Sequence, residues 1–140
     1  MKYKTIKVNL RDNIGCLVLN RPDVMNALNS DMRFEIKEAI LGLEKSVRVI
    51  VITGRGRAFC SGQDLTDRRN SNNVDLEKTL NDEYVPMLRA IIDCSIPTVT
   101  ALNGAAAGAG ANLALCSDIV IACKSAYLMQ AFTRIGLIPD

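Results

Sequence analysis

Two short runs rich in aliphatic and β-branched residues open the chain, at 4–8 and 14–19, and the stretch Leu10-Arg11-Asp12-Asn13 between them predicts a β-hairpin. After Asn20-Arg21-Pro22 the period changes. Met32, Ile36, Ile40 and Leu43 recur at helical spacing behind Ser30, a residue type that caps helix N-termini, so Ser30 is expected to cap a helix. The continuous apolar run 47–53 reads as a strand covered on both faces. Gly54-Arg55-Gly56-Arg57 ends it, and the polar segment 66–74, with its three asparagines, reads as a mobile surface loop. Tyr84, Leu88, Ile91 and Ile92 mark a second amphipathic helix, which Pro97 separates from a strand at 98–102. Residues 104–111 are glycine and alanine only. They enter a helix at 112–115, and a strand returns at 119–122. Such β and α alternation predicts an α/β fold in one domain, 1–140, without internal repeat or linker.

A hydrophobic content of 49% over 140 residues supports a packed core rather than a disordered chain. Seventeen basic against 15 acidic residues leave a net charge of +2, and no basic block interleaves with aromatics, which argues against a nucleic-acid partner. The small apolar run 105–115 is too short to span a bilayer and carries Asn112, so no membrane span is expected. Five cysteines, odd in number, with no CxxC pair and no secretory signal, point to a reduced, cytoplasmic setting. The chain has no histidine. That removes Ser-His and Cys-His nucleophile pairs and His-based metal sites, so no metal is expected and proton transfer falls to carboxylates.

Most carboxylates have plain expectations. Asp118 should tie down backbone at the start of a strand, and Glu35, Glu38 and Glu44 should lie on a solvated helix face. Cys60 reads as a small packing residue. The more informative features are two small-residue stretches that each follow a buried strand, at 58–65 and 103–112. Loops there expose backbone N–H groups, let a ligand approach closely and, in the second case, place a helix start against it. Two such loops at one sheet end could give two donors to one oxygen, the requirement of an oxyanion hole. On the residues alone, close packing and turn formation are the favoured explanation of the glycines in either loop. They do not complete a dinucleotide fingerprint, since Gly108 and Gly110 lack a third glycine at the right spacing.

Taken together, Asn20-Arg21-Pro22 with Asn26-Ala27-Leu28, FCSGQDL at 59–65, NGAAAGAGANLAL at 103–115, SDIVIA at 117–122 and IGLIPD at 135–140 resemble, in order and spacing, the enoyl-CoA hydratase/isomerase (crotonase) family. The resemblance covers essentially the whole chain. It implies a crotonase (ClpP-like) fold of repeated ββα units, a homotrimer or hexamer, and an acyl-CoA substrate whose thioester lies between two backbone N–H groups, with no separate cofactor. Those donors fall on Gln63 and Ala109. The adenine of CoA lies, in the family, against backbone flanking the first loop, which places Asn26, Ala27, Phe59, Ser61 and Asp64 nearby.

Hydratases of the family use two glutamates, and the matching positions here hold Asn112 and Thr133. Asp140 instead matches the carboxylate after the Ile-Gly-Leu-Ile-Pro segment of the ring-1,2-epoxyphenylacetyl-CoA and Δ3,Δ2-enoyl-CoA isomerases. One carboxylate suits isomerisation, because the same base can take a proton α to the thioester and return it at another carbon. Ile135, Leu137 and Ile138 would raise its pKa by burial. Read without the family, Asp140 is a solvated turn residue after proline. The expectation is thus an isomerase-type crotonase, with an enoyl-CoA hydratase and a non-catalytic CoA-binding subunit as alternatives. Family members are longer, so 1–140 is expected to be an N-terminal core lacking the C-terminal helical region, a fragment or a subunit completed by a second chain.

Overall fold

The structure, a computed structural model, describes residues 3–69, 75–136 and 138. Strands β1 (Ile6–Arg11) and β2 (Ile14–Leu19) form the expected hairpin, paired from Ile6 opposite Leu19 to Arg11 opposite Ile14. It is tighter than the polarity suggested. The turn is Asp12-Asn13 alone, with φ of 49° and 64°, the two left-handed residues a two-residue hairpin turn requires.

Helix α1 (Ser30–Leu43) is capped by Asn29, not Ser30: the Asn29 side chain accepts the Met32 N–H at 3.0 Å, while the Ser30 N–H donates to Asp67 at 2.8 Å. Strand β3 (Val49–Gly54) starts two residues later than expected, because the Val47 N–H is still bonded to the Leu43 carbonyl in the turn that ends α1. It is also less enclosed. Ile50 and Ile52 are fully buried, whereas Val49, Val51 and Thr53 on the other face are half-buried.

The segment read as a loop at 66–74 is corrected in its first part: α2 (Leu65–Arg69) is helical, and 70–74 lie outside the described residues. Helix α3 (Leu76–Thr79), capped by Asp75, runs through a π-helical turn (Leu80–Tyr84) into α4 (Val85–Ile92). The second amphipathic helix therefore begins earlier than its apolar spacing indicated.

Two sheets organise the rest. β1-β2-β3-β5-β7 form one, with β5 (Thr98–Leu102) and β7 (Ile119–Ala122) parallel to β3. The other is β4 (Ala58–Cys60), β6 (Ala105–Ala107) and β8 (Leu128–Met129), also parallel. Each repeat gives one strand to each sheet before its helix: β3-β4-α2, then β5-β6-α5 (Ala109–Leu115), then β7-β8. The fold is thus α/β with ββα units, and part of the Gly-Ala run is a strand of the second sheet. Among the described residues no helix is long and apolar enough to cross a membrane.

Leu17, Ile36, Ile40, Ile52, Met87 and Ile91 fill the core where α1 and α4 pack together and α1 lies on the β1-β2 hairpin. Asp118 behaves as expected, accepting the Thr98 N–H at 2.7 Å and its hydroxyl at 2.8 Å, and these bonds hold its carboxyl below the usual range. Glu35 does not. It is buried and accepts the N–H of Lys4 at 2.7 Å, the N–H of Thr5 at 2.8 Å and the Thr5 hydroxyl, because its helix position faces the start of β1. Burial pushes this carboxyl up, but those hydrogen bonds outweigh it and its pKa lies below the ordinary value.

A group so depressed stabilises the fold above its unfolded pKa of about 4.3 and stops doing so as pH falls through the lower folded value. Glu35→Gln should therefore cost about 1–3 kcal/mol at pH 7. In urea melts the gap from wild type should narrow as the pH is taken below about 4.

Candidate functional site

Because β4 and β6 are neighbours, with Ala58 opposite Ala105 and Cys60 opposite Ala106, the loops that follow them emerge side by side. Their approach is close. At Gly62 φ is 97°, and an added Cβ would sit 2.7 Å from the Ala107 carbonyl oxygen and 3.5 Å from the Ala109 nitrogen. At Gly110, an added Cβ would collide with the Cys60 carbonyl, so only glycine lets the first turn of α5 rest on the end of β4.

Leu28 orients the first loop. Its N–H donates to the Gly62 carbonyl at 2.8 Å and its carbonyl accepts the Asp64 N–H at 3.0 Å, a parallel bridge centred on Gln63. In such a bridge the residue between the two bonded neighbours turns its own N–H away from the partner strand. Ala109 is the first residue of α5, where helix geometry offers the N–H no internal acceptor. Neither the Gln63 nor the Ala109 N–H has an acceptor among the described residues.

The other residues singled out in the sequence build the frame behind this loop. Asn26 is 0% exposed and left-handed at φ 55°. Its amide donates to the carbonyls of Arg55, Ala58 and Phe59 at 3.0–3.1 Å and its oxygen accepts the Arg21 N–H at 2.9 Å. Ala27 is buried, and its carbonyl accepts an Arg21 guanidinium N–H at 2.5 Å. Phe59 is fully buried in β4. Half-buried Ser61 donates its N–H to Met25 at 3.0 Å and its hydroxyl to Val24 at 3.3 Å. Asp64 accepts Arg21 at 2.7 Å and both the N–H and hydroxyl of Thr66. Burial alone would raise its pKa, but the Thr66 hydroxyl and the Arg21 guanidinium hold it below the usual carboxylate range. The side chains of Asn26, Phe59 and Asp64 thus face inward, and what this frame offers a ligand is main chain.

Asn112, half-buried on α5, accepts the Gln130 side-chain N–H at 2.8 Å. Thr133 is exposed in the 3-10 turn Phe132–Ile135. Asp140 lies outside the described residues. Cys60 packs as expected: it is fully buried and burial pushes its thiol up to about 12, which leaves no thiolate at neutral pH. Sequence reading gave no role to Arg33 and named Arg21 only within the Asn20-Arg21-Pro22 motif, yet both guanidinium groups lie behind the Gln63 loop. Arg33 was detectable as a charge at helical spacing with Ile36 and Ile40.

Residues 9–140 match the family model described as enoyl-CoA hydratase/isomerase. The chain belongs to the enoyl-CoA hydratase/isomerase family. It is 54% identical over 140 residues to a protein of Rhodobacter capsulatus named "Probable enoyl-CoA hydratase", covering 100% of this chain and 54% of that one. It is 43% identical to the 1,2-epoxyphenylacetyl-CoA isomerase of Escherichia coli K12, over 94% of this chain and 52% of that one. Among solved structures, an enoyl-CoA hydratase subunit I from Geobacillus kaustophilus superposes with a TM-score of 0.88 at 30% identity, covering all of this chain and 54% of that one. An enoyl-CoA hydratase/isomerase from Pseudoalteromonas atlantica gives 0.83 at 31%, over 98% and 53%. The chain spans about half the length of the curated relatives it matches.

In this family member the two loops are held in contact by glycine, so a methyl group should separate them. Gly62→Ala should cost about 1–3 kcal/mol, from left-handed strain and overpacking, in a chemical unfolding curve. Gly42→Ala, in α1 with nothing within 4 Å, should instead stabilise by about 0.5–1 kcal/mol.

Proposed function

We propose that this chain carries the acyl-binding half of an acyl-CoA isomerase-type enzyme. In it Asp140 removes a proton α to a thioester, and the N–H groups of Gln63 and Ala109 hold the enolate oxygen. The observation that carries this reading is the pair of neighbouring main-chain N–H groups without acceptors among the described residues. A thioester oxygen placed between them accepts two hydrogen bonds. As the α proton leaves, the C–H electron pair moves into the C–C–O system and the oxygen gains charge. Fixed donors meet that charge without reorganising, each worth roughly 3–4 kcal/mol in the transition state. Returning the proton at the far end of the allylic system completes the isomerisation, and no electron leaves the substrate, so no cofactor is needed.

Two observations support isomerisation over hydration. Neither Asn112 nor Thr133 titrates near neutral pH, and Asn112 is already engaged by Gln130. The 43% identity to 1,2-epoxyphenylacetyl-CoA isomerase points the same way. Water addition is the second reading, favoured by the 54% identity to a protein named a probable hydratase. A CoA lying along the backbone of residues 26–27, 59–61 and 64, a trimeric or hexameric assembly and a cytoplasmic setting belong to the same proposal.

The intact protein should convert a 3-enoyl-CoA into its conjugated 2-enoyl isomer, followed by the absorbance of the conjugated thioester. Asp140→Asn should lower that rate by about 10²–10⁴ while thioester binding persists. Hydration of a 2-enoyl-CoA without isomerisation, undiminished in Asp140→Asn, would refute the proposal.

A further inference from the structure

We infer that Arg33 is a positioning residue for the oxyanion donor: it fixes the Leu28 carbonyl on which the Gln63 loop hangs and ties that loop to α2 and to the π-helical turn. The inference rests on the reading of the Gln63 N–H as a donor to the thioester oxygen.

The Arg33 side chain is 3% exposed. One terminal nitrogen donates to the Leu28 carbonyl at 2.7 Å, the same carbonyl that accepts the Asp64 N–H. The other meets Asp67 at 3.2 Å and Glu83 at 2.7 Å, and Nε donates to Glu83 at 2.8 Å. The guanidinium also lies 4.8 Å from the Tyr84 ring centroid. One buried cation therefore joins the strand segment before α1, the helix that begins one residue after Asp64, and the turn between α3 and α4.

A purely structural ion pair would not need the carbonyl contact, and the carbonyl contact alone would not need two carboxylates. Both together hold the Leu28 carbonyl, which pairs with the peptide group after Gln63, and anchor it to α2 and to the π-helical turn. A cation on the Leu28 oxygen restrains the carbonyl that receives the Asp64 N–H, and by holding Leu28 it steadies the Leu28 N–H bond to the Gly62 carbonyl, whose peptide group carries the Gln63 N–H. Asp67 adds a second restraint, since it also accepts the Ser30 N–H at 2.8 Å and so locks α2 to the start of α1. Lysine retains the charge but presents no planar fork, so it cannot hold Leu28, Asp67 and Glu83 at once.

The test uses the intact protein and butyryl-CoA labelled with 13C at the thioester carbonyl, read by isotope-edited infrared difference spectroscopy. Wild type should shift the carbonyl band to lower frequency on binding. Arg33→Lys should show a smaller shift, with kcat lowered on the order of tenfold or more and KM within about threefold. Arg33→Met should lose more of both. If Arg33→Met fails to fold, the lysine variant decides. A folded Arg33→Lys with a lower melting temperature but an unchanged band and unchanged kcat would show that Arg33 is structural only and overturn the inference. An unshifted band in wild type would instead overturn the oxyanion reading, and the positioning role with it.

Discussion

Leu28 pairs with one loop through both of its main-chain groups: its N–H goes to the Gly62 carbonyl and its carbonyl takes the Asp64 N–H. The candidate site depends on this single bridge. Gln63 sits between the two bonded neighbours, so its own N–H has to face away from Leu28. Direction at Gln63 is set by main-chain pairing, with Arg33 on the Leu28 carbonyl behind it, so the proposed donor role asks nothing of the glutamine or alanine side chain. The N–H is common to both, and the identity of the side chain enters only through the space it takes.

The bridge is short and a single pair of hydrogen bonds is weak, so much of the surrounding chemistry serves to keep it in place. Met25 and Asn26 adopt consecutive left-handed conformations, a local cost that the buried Asn26 amide offsets by binding three carbonyls around β4. Arg21 and Arg33 bring two cations behind the loop. Each satisfies a carbonyl, of Ala27 or Leu28, together with a carboxylate that follows the loop, Asp64 or Asp67. Charges this buried are tolerated because every one is paired and hydrogen-bonded. Removing either arginine would leave its carbonyl and carboxylate partners without that bond.

Strand and helix order was legible because buried strands and amphipathic helices leave period-2 and period-3.6 signatures, as at 14–19 and in the Met32, Ile36, Ile40 series. The second sheet was not. Its strands are three, three and two residues long, and β6 is three alanines, which carry neither β-branching nor alternation. Residues 66–69 read as loop because their polarity is that of a solvated segment, yet Asp67 is held by Arg33 and by the Ser30 N–H. Glu35 was assigned to the solvated face because a carboxylate is rarely buried. Two unpaired N–H groups at the start of β1 give it a reason to be. The two loops were visible as small-residue stretches, while Gln63 and Ala109 came only from the resemblance, since the direction of the Gln63 N–H follows from pairing with Leu28, 35 residues away.

The ββα repeat and the glycine contacts bring the two loops side by side, and the proposed function holds a carbonyl oxygen between them. A crystal structure of the intact protein with bound butyryl-CoA tests this most directly. The expected result is a thioester oxygen about 2.7–3.1 Å from the nitrogens of both Gln63 and Ala109. A thioester bound with its oxygen away from either nitrogen, or the two N–H groups turned to protein acceptors in the complex, would contradict it.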